Sequence, residues 1–225
     1  MITVDVVLLG PPAAGKGTAA EWLREDLGFS SLCTGDVYRD ITSHGGTLAE
    51  IVQWYLNAGL LLPSGLTNQL TLQFAAHYLR EGLVPLMLDG YPRSMDQFEF
   101  LVEHYDPKLF LVMDASYEAT RLAAEGRRKC EVCGKGYNVL IANPTTCDCE
   151  IPKPIVRDDD SEDLYAERYR QYQLHTEPVV HHVLDSCDNV LKFNTLETSA
   201  DRSLVVAKVR SHLASINRQR ECYPA

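Results

Sequence analysis

A nine-residue segment, GPPAAGKGT at positions 10–18, constrains the fold of this chain more than any other feature. It ends a short apolar run at residues 5–10 and precedes a helical pattern in which Ala19, Leu23 and Leu27 recur at four-residue spacing. A glycine-rich turn in this setting presents backbone N–H groups and the positive end of a helix dipole to an anion. The segment therefore predicts a phosphate-binding loop, with Lys16 reaching the β- and γ-phosphates of a nucleotide.

The predicted nucleotide contacts in this loop cover nearly all of its positions. They are Gly10, Pro12, Ala13, Ala14, Gly15, Lys16, Gly17 and Thr18. The loop departs from the general pattern at Gly17, because most such loops place Ser or Thr directly after the lysine to bind magnesium. The hydroxyl group comes one residue later here, at Thr18.

Further apolar runs, at residues 84–88, 109–113 and 190–193, are each followed by polar residues and a helical pattern. Strands that alternate with helices predict an α/β fold, in which a parallel sheet carries helices on both faces. From residue 128 to about 160 the helical period is lost, and Cys, Gly, Pro and Asn predict an insertion of turns and hairpins. After it, Ser161 is expected to cap a long helix that runs toward Pro178.

The net charge of −10 and the pI of about 5.1 argue against nucleic acid or an anionic membrane as a partner. No apolar run approaches the roughly 20 residues that span a bilayer. An odd number of cysteines (seven) and the lack of a secretory pattern at the N-terminus argue against a disulfide scaffold. These features predict a reducing compartment, and we expect a cytoplasmic protein.

Four of the cysteines cluster within the insertion, as Cys130-x-x-Cys133, thirteen residues, and then Cys147-Asp148-Cys149. Two cysteine pairs in a segment too small for its own core indicate a structural, tetrahedral Zn²⁺ site. The alternative is four thiols in a segment without metal.

The GKGT ending of the loop and three further segments resemble nucleoside monophosphate kinases, and adenylate kinases in particular. These segments are TGDVYR at 34–39, GLLLP at 59–63 and LDGYPR at 88–93, the last followed by Gln97. The resemblance extends over nearly the whole chain and implies one P-loop NTPase domain over 1–225 with a five-stranded parallel sheet. It further implies a helical NMP-binding lobe at 34–65 and a small zinc-bound lid at 127–160. Members of this family are commonly monomeric.

The resemblance also implies the residues of the AMP site. Thr34 would face the base and Arg39 would pair with the α-phosphate, while Leu61 and Leu62 hold the adenine. Gln97 would offer a donor and an acceptor to one edge of adenine.

The catalytic groups implied by the resemblance come from the LDGYPR segment and the lid. Asp89 would hold Mg²⁺ through its waters, Arg93 would touch the phosphates, and Gly90 would also belong to the nucleotide site. The lid arginines would be Arg127, Arg157 and Arg168, with Asp159 orienting one of them. Lids of this family can also use a carboxylate for zinc, so the fourth ligand stays open between Cys149 and Glu150.

One position departs from the family pattern. The family places an arginine that covers the triphosphate base where this chain has Ala123, and the nearest arginine on that side is Arg121. Either the helix end is rearranged or the base is held less specifically.

The predicted reaction is reversible phosphoryl transfer from Mg–ATP to AMP, which gives two ADP. An alternative within the class is a UMP/CMP or broad-specificity nucleoside monophosphate kinase, against which Thr34 and Gln97 favour AMP. Outside the class, the sequence also admits a P-loop switch protein whose cysteine segment binds nucleic acid, and a catalytically weak homologue that only binds nucleotides.

Overall fold

The structure, a computed structural model, describes residues 1–133, 135–140, 149, 151, 153–156, 161–194 and 201–222, without the side chains of 217–222. The helices are α1 (Lys16–Leu27), α2 (Thr34–His44), α3 (Thr47–Asn57), α4 (Ser64–Arg80), α5 (Met95–His104), α6 (Tyr117–Gly126), α7 (Glu162–Gln171), α8 (Glu177–Ser186) and α9 (Arg202–Cys222). The strands are β1 (Ile2–Val4), β2 (Val6–Leu9), β3 (Ser30–Cys33), β4 (Leu86–Asp89), β5 (Tyr105–Pro107), β6 (Phe110–Asp114), β7 (Arg127–Cys130), β8 (Gly136–Asn138), β9 (Pro154–Ile155) and β10 (Val190–Asn194).

The central sheet has five parallel strands in the order β10-β6-β2-β4-β3, which confirms the predicted parallel sheet. Four of these strands overlap the apolar runs of the sequence. The fifth, β3, has the sequence SSLC and gave no apolar signal, because this edge strand buries only Leu32 and carries two serines.

Helices cover both faces of the sheet. Along β2, Val7 and Leu9 pack in one hydrophobic cluster and Val6 and Leu8 in the other, as the alternation of side chains along a strand requires. The first cluster includes side chains of α5 and α8, and the second includes side chains of α1 and α9. A strand buried on both faces needs apolar residues at every position, which explains the continuous run at the start of the chain.

The parallel strands bring three of the predicted motifs to one edge of the sheet. In the register of the sheet, Leu8 on β2 and Cys33 on β3 both pair with Asp89 on β4. The phosphate-binding loop, Thr34 and the segment after Asp89 therefore start side by side. Ligands of open α/β sheets bind at this carboxyl edge.

Two smaller units flank this edge. Helices α2 and α3 pack on a separate hydrophobic cluster that contains Tyr38, Val52, Leu62 and Leu70. Between α6 and α7 lies a three-stranded antiparallel sheet in the order β8-β7-β9. The hairpins expected in the cysteine-rich insertion are thus present in its described part.

The helix expected after Ser161 forms, but its start and its course differ from the expectation. Ser161 occupies the N-cap position of α7, yet its side chain makes no capping hydrogen bond. The helix continues through a π-helical turn, Tyr172–Thr176, into α8, where Pro178 fits because it stands in the first turn. In the described part of the chain, no helix combines the length and apolarity needed to cross a membrane.

Candidate active site

The loop at residues 10–18 adopts the strained turn that its glycines permit. Gly10 has a φ of 137°, and a Cβ atom there would lie 2.1 Å from the carbonyl oxygen of Met113. Gly15, at the N-cap of α1, has a φ of 84°. The loop therefore passes closely over the end of β6 and delivers its backbone into the first turn of α1, where unpaired N–H groups can bind an anion.

Lys16, the loop lysine, turns back over this backbone. Its Nζ atom donates to the carbonyl oxygens of Gly10 at 2.8 Å and Pro11 at 2.6 Å. The pKa of Lys16 is lowered from 10.5 to about 8, mainly by burial and further by the charges of three arginines, against the opposing effect of Asp89. Burial makes the charged ammonium group unfavourable, and a bound phosphate would stabilise it again. This suits a phosphate-binding site.

The three arginines that act on Lys16 are Arg93, Arg168 and Arg127. They come from the segment after β4, from α7 and from the start of β7, which lie far apart in the sequence. Three of the four arginines that the sequence predicted around a polyphosphate thus lie near enough to Lys16 to act on its charge. Predicted residues Arg157, Asp159, Cys147 and Glu150 lie outside the described residues.

Asp89 ends β4 with a buried carboxyl group. Burial raises its pKa above the ordinary value, while the charges of Lys16 and Arg93 act in the opposite direction. A carboxylate is the ligand type that Mg²⁺ prefers, and the adjacent cations favour its ionised form. The residues present therefore fit a magnesium ion near Asp89. The Thr18 hydroxyl lies in the first turn of α1, on an exposed residue.

Three hydrogen bonds hold Arg93 in place. Its backbone N–H donates to Gln97 Oε1 at 2.7 Å, and its Nε atom donates to the carbonyl oxygen of Gly90 at 2.7 Å. The hydroxyl group of Thr176 donates to its carbonyl oxygen at 2.9 Å. The two backbone bonds hold the residue in place and the Nε bond directs its side chain, which is what preorganised catalysis requires.

Gly90 leaves no space for a side chain beside Arg93. Its φ is 78°, and a Cβ atom there would lie 2.7 Å from Arg93 Nη2 and 2.8 Å from the Thr34 hydroxyl. Thr34 is buried and donates to the Gly90 carbonyl oxygen at 2.9 Å. Thr34 was predicted to contact the base and Arg93 the phosphates. In the structure both side chains donate to the carbonyl oxygen of Gly90.

Gln97 has a structural contact that the sequence did not predict. It is buried, and its amide oxygen accepts the Arg93 N–H. Within the described part of the chain its amide nitrogen has no protein partner, so the donor remains available to a ligand.

Arg39 pairs with a carboxylate of its own helix. Its Nη2 atom lies 2.5 Å from Asp36 Oδ1. Burial opposes the charged form of Asp36, but the hydrogen bond and charge of Arg39 outweigh it and lower the pKa of this carboxyl group. In the same lobe, Leu62 belongs to the hydrophobic cluster, while Leu61 is partly exposed.

Ala123, where the family pattern has an arginine, lies near the end of helix α6. Helix α6 runs continuously from Tyr117 to Gly126. Arg121 binds the carboxylates of Glu118 and Glu125 on this same helix. Both explanations of the departure at Ala123, a rearranged helix end and a less specific contact with the base, therefore stay predictions.

The described cysteines of the insertion lie together. The sulfur atoms of Cys130, Cys133 and Cys149 are all within 4.8 Å of one another, and Cys130 is buried. Thiolates at this separation suit a single soft ion, so the described part of the group fits zinc. Cys149 belongs to the cluster, whereas Glu150 lies outside the described residues, so the choice between them stays open.

Sequence reasoning missed Thr176, which stands in the π-helical turn and stabilises Arg93 from 83 residues away. A π-helical turn is often found at functional sites, but it gives no signal in the sequence.

Comparison with known proteins agrees with this geometry. The family model described as adenylate kinase matches residues 8–186. An adenylate kinase of Petrotoga mobilis is 31% identical over 222 residues, covering 95% of this chain and 99% of the relative. Adenylate kinases of Thermosipho melanesiensis (32% over 215 residues, 92% and 97%) and Clostridium tetani (30% over 223 residues, 95% and 100%) are similarly related. This chain belongs to the adenylate kinase family.

Proposed function

We propose that this enzyme transfers the terminal phosphoryl group of Mg–ATP to AMP and produces two ADP in a reversible reaction. The observation that carries the proposal is that Arg93, Arg127 and Arg168 all act electrostatically on Lys16, the lysine of the loop at residues 10–18. Family membership supports the same reaction. Phosphoryl transfer needs alignment and charge neutralisation more than covalent chemistry, and this cluster of cations supplies both.

In the proposed mechanism, the loop amides and Lys16 bind the β- and γ-phosphates, and the arginines surround the transferred group. Asp89 would hold Mg²⁺, which supplies charge neutralisation between the β- and γ-phosphates when bound. The attacking atom is a phosphate oxygen of AMP that is already ionised at neutral pH. No general base is therefore required.

The AMP side is assigned to the lobe at 34–65. Thr34 and the amide nitrogen of Gln97 would contact the base, and Leu61 and Leu62 would hold the adenine. Arg39 would bind the α-phosphate. For this its guanidinium group would either leave the Asp36 carboxylate or bind both groups at once. We assign the lid to residues 127–160, including Arg157, and expect it to close over the phosphates so that water does not compete as acceptor.

We propose that the lid binds a structural zinc ion, with Cys130, Cys133, Cys147 and Cys149 as its ligands. We also propose that the enzyme acts as a monomer in the cytoplasm and binds no nucleic acid. The charge of −10 supports the last point.

The decisive experiment is ADP formation from ATP and each of AMP, CMP, UMP and GMP. We expect AMP to be the preferred acceptor. Lys16→Met and Arg93→Ala should each lower turnover by about 100-fold or more while the circular dichroism spectrum stays unchanged.

Arg170 offers a matched control for Arg168, because it lies two residues further along α7 and its exposed side chain pairs with Glu167. Arg168→Ala should reduce turnover strongly, whereas Arg170→Ala should leave it within about twofold. Preference for UMP or CMP would support the alternative kinase. Equal activities of the Arg168 and Arg170 variants would remove Arg168 from the scheme.

A further inference from the structure

One side chain of the lid sheet reaches back to the end of helix α6. In the β7–β8 pair, Asn138 stands opposite Arg127. The Asn138 Nδ2 atom donates to the carbonyl oxygen of Ala123 at 2.9 Å, and its Oδ1 atom accepts the N–H of Leu140 at 2.9 Å. The amide group thus connects β8, the turn that follows it and the last turn of α6.

This connection satisfies a group that the helix leaves without a backbone partner. At the end of α6 the N–H of Arg127 bonds to the Ala124 carbonyl, not to that of Ala123. Carbonyl groups in the last turn of a helix need a partner from elsewhere. For Ala123 this partner is the side chain of Asn138, and the N–H of Val139 also donates to the Gly126 carbonyl at 2.8 Å.

The contact depends on the absence of a side chain at Gly126. A Cβ atom there would lie 2.0 Å from Asn138 Oδ1 and 2.9 Å from its Cγ. Gly126 is buried and is the last residue of α6. The glycine therefore provides the space through which the Asn138 side chain reaches the helix.

Arg127 follows Gly126 directly and is one of the arginines that lower the pKa of Lys16. Its backbone is held by α6 on one side and by β8 on the other. We propose that Asn138 is a positioning residue, which fixes Arg127 on the phosphates by fastening β8 to the end of α6. This inference rests on the proposed function, because it assigns Arg127 to the reacting phosphates.

The Asn138→Asp variant separates the two hydrogen bonds of this side chain. Aspartate keeps an oxygen for the Leu140 N–H but loses the donor to Ala123, and it places a negative charge near that carbonyl. If the contact with α6 matters, Asn138→Asp and Asn138→Ala should both lower kcat by roughly 10- to 100-fold. The KM for AMP should change by less than about twofold, because the AMP lobe does not contain this contact.

A double-mutant cycle tests whether Asn138 acts through Arg127. In an Arg127→Ala background, Asn138→Asp should have less than about twofold further effect on kcat, because the group it positions is gone. Gly126→Ala should reproduce the loss. Val139→Ala is the matched control, since this exposed neighbour donates its backbone N–H to Gly126 and the substitution leaves that donor in place, and it should behave like the wild type. Zinc content and Tm show that each variant is folded.

The outcomes separate the two proposals. A wild-type protein that forms no ADP from ATP and AMP overturns the proposed function. An active wild type overturns the positioning role if Asn138→Asp keeps full kcat, or if its loss multiplies with that of Arg127→Ala. Should Asn138→Asp fail to fold, Asn138→Ala is read by the same criteria.

Discussion

ATP binding is expected to weaken as the pH rises above about 8, because Lys16 then loses the proton that phosphate binding requires. In the ligand-free protein the pKa of Lys16 is about 8, lowered mainly by burial. A bound polyphosphate adds negative charge beside the ammonium group and raises this pKa again. The bound state therefore holds more protons than the free state above pH 8, and rising pH opposes binding.

The magnitude follows from the pKa. At a value of about 8, Lys16 is about nine-tenths protonated at pH 7 and about one-tenth protonated at pH 9. The affinity for ATP should therefore fall about 10-fold between these two pH values. Binding should take up about 0.1 proton at pH 7 and about 0.9 proton at pH 9.

Isothermal titration calorimetry measures both quantities when ATP is titrated without AMP in buffers of different ionisation enthalpy. Lys16→Met should bind ATP more weakly at pH 7, with an affinity that does not change up to pH 9. Asp89→Asn removes a charge that raises the pKa of Lys16, so its pH dependence should begin at a lower pH. A wild-type affinity that is constant from pH 7 to 9.5, with no proton uptake at pH 9, would refute the reasoning.

Three further predictions concern stability. Gly10→Ala should lower the free energy of unfolding in urea by about 2 kcal/mol or more, because the added methyl group overlaps a backbone carbonyl. Gly17→Ala, in helix α1 with open space, is the control and should keep or slightly raise the stability. Cys130→Ser should reduce bound zinc, counted by native mass spectrometry, and lower the Tm, while equal metal content in both proteins would contradict the assignment. Tyr165→Phe removes a buried hydrogen bond of 2.5 Å to Thr120 and should cost about 1 kcal/mol in chemical denaturation, and no loss would mean that the bond contributes nothing net.

The phosphate-binding loop and its setting could be predicted from the sequence because all of their chemistry is local. The glycines, the lysine, the preceding strand and the following helix are contiguous in the chain. Strands buried on both faces carry continuous apolar residues, so β2, β4 and β6 were also visible. The edge strand β10 was visible because three of residues 190–193 are apolar. The edge strand β3 was not, since an edge position tolerates the polar residues Ser30 and Ser31.

Several hydrogen bonds in and near the site join residues that lie far apart in the sequence, so the sequence did not predict them. Thr176 binds the carbonyl of Arg93 across 83 positions, and Asn138 binds that of Ala123 across 15. Gln97 was expected only to contact a ligand, yet it also stabilises the Arg93 backbone. Hydrogen bonds of this kind depend on distance and direction, which one-dimensional spacing does not contain.

By itself, the sequence determined the kind of chemistry, because a loop that binds phosphate and a set of cysteines that binds metal are defined by neighbouring residue types. Only the tertiary structure decided that Arg93, Arg127 and Arg168 act on one lysine. The sequence shows that each of these arginines is charged, but not which of them come close to one another in the folded chain. Their convergence is set by the register of the sheet and by the packing of α6 and α7, and these are long-range properties of the folded chain.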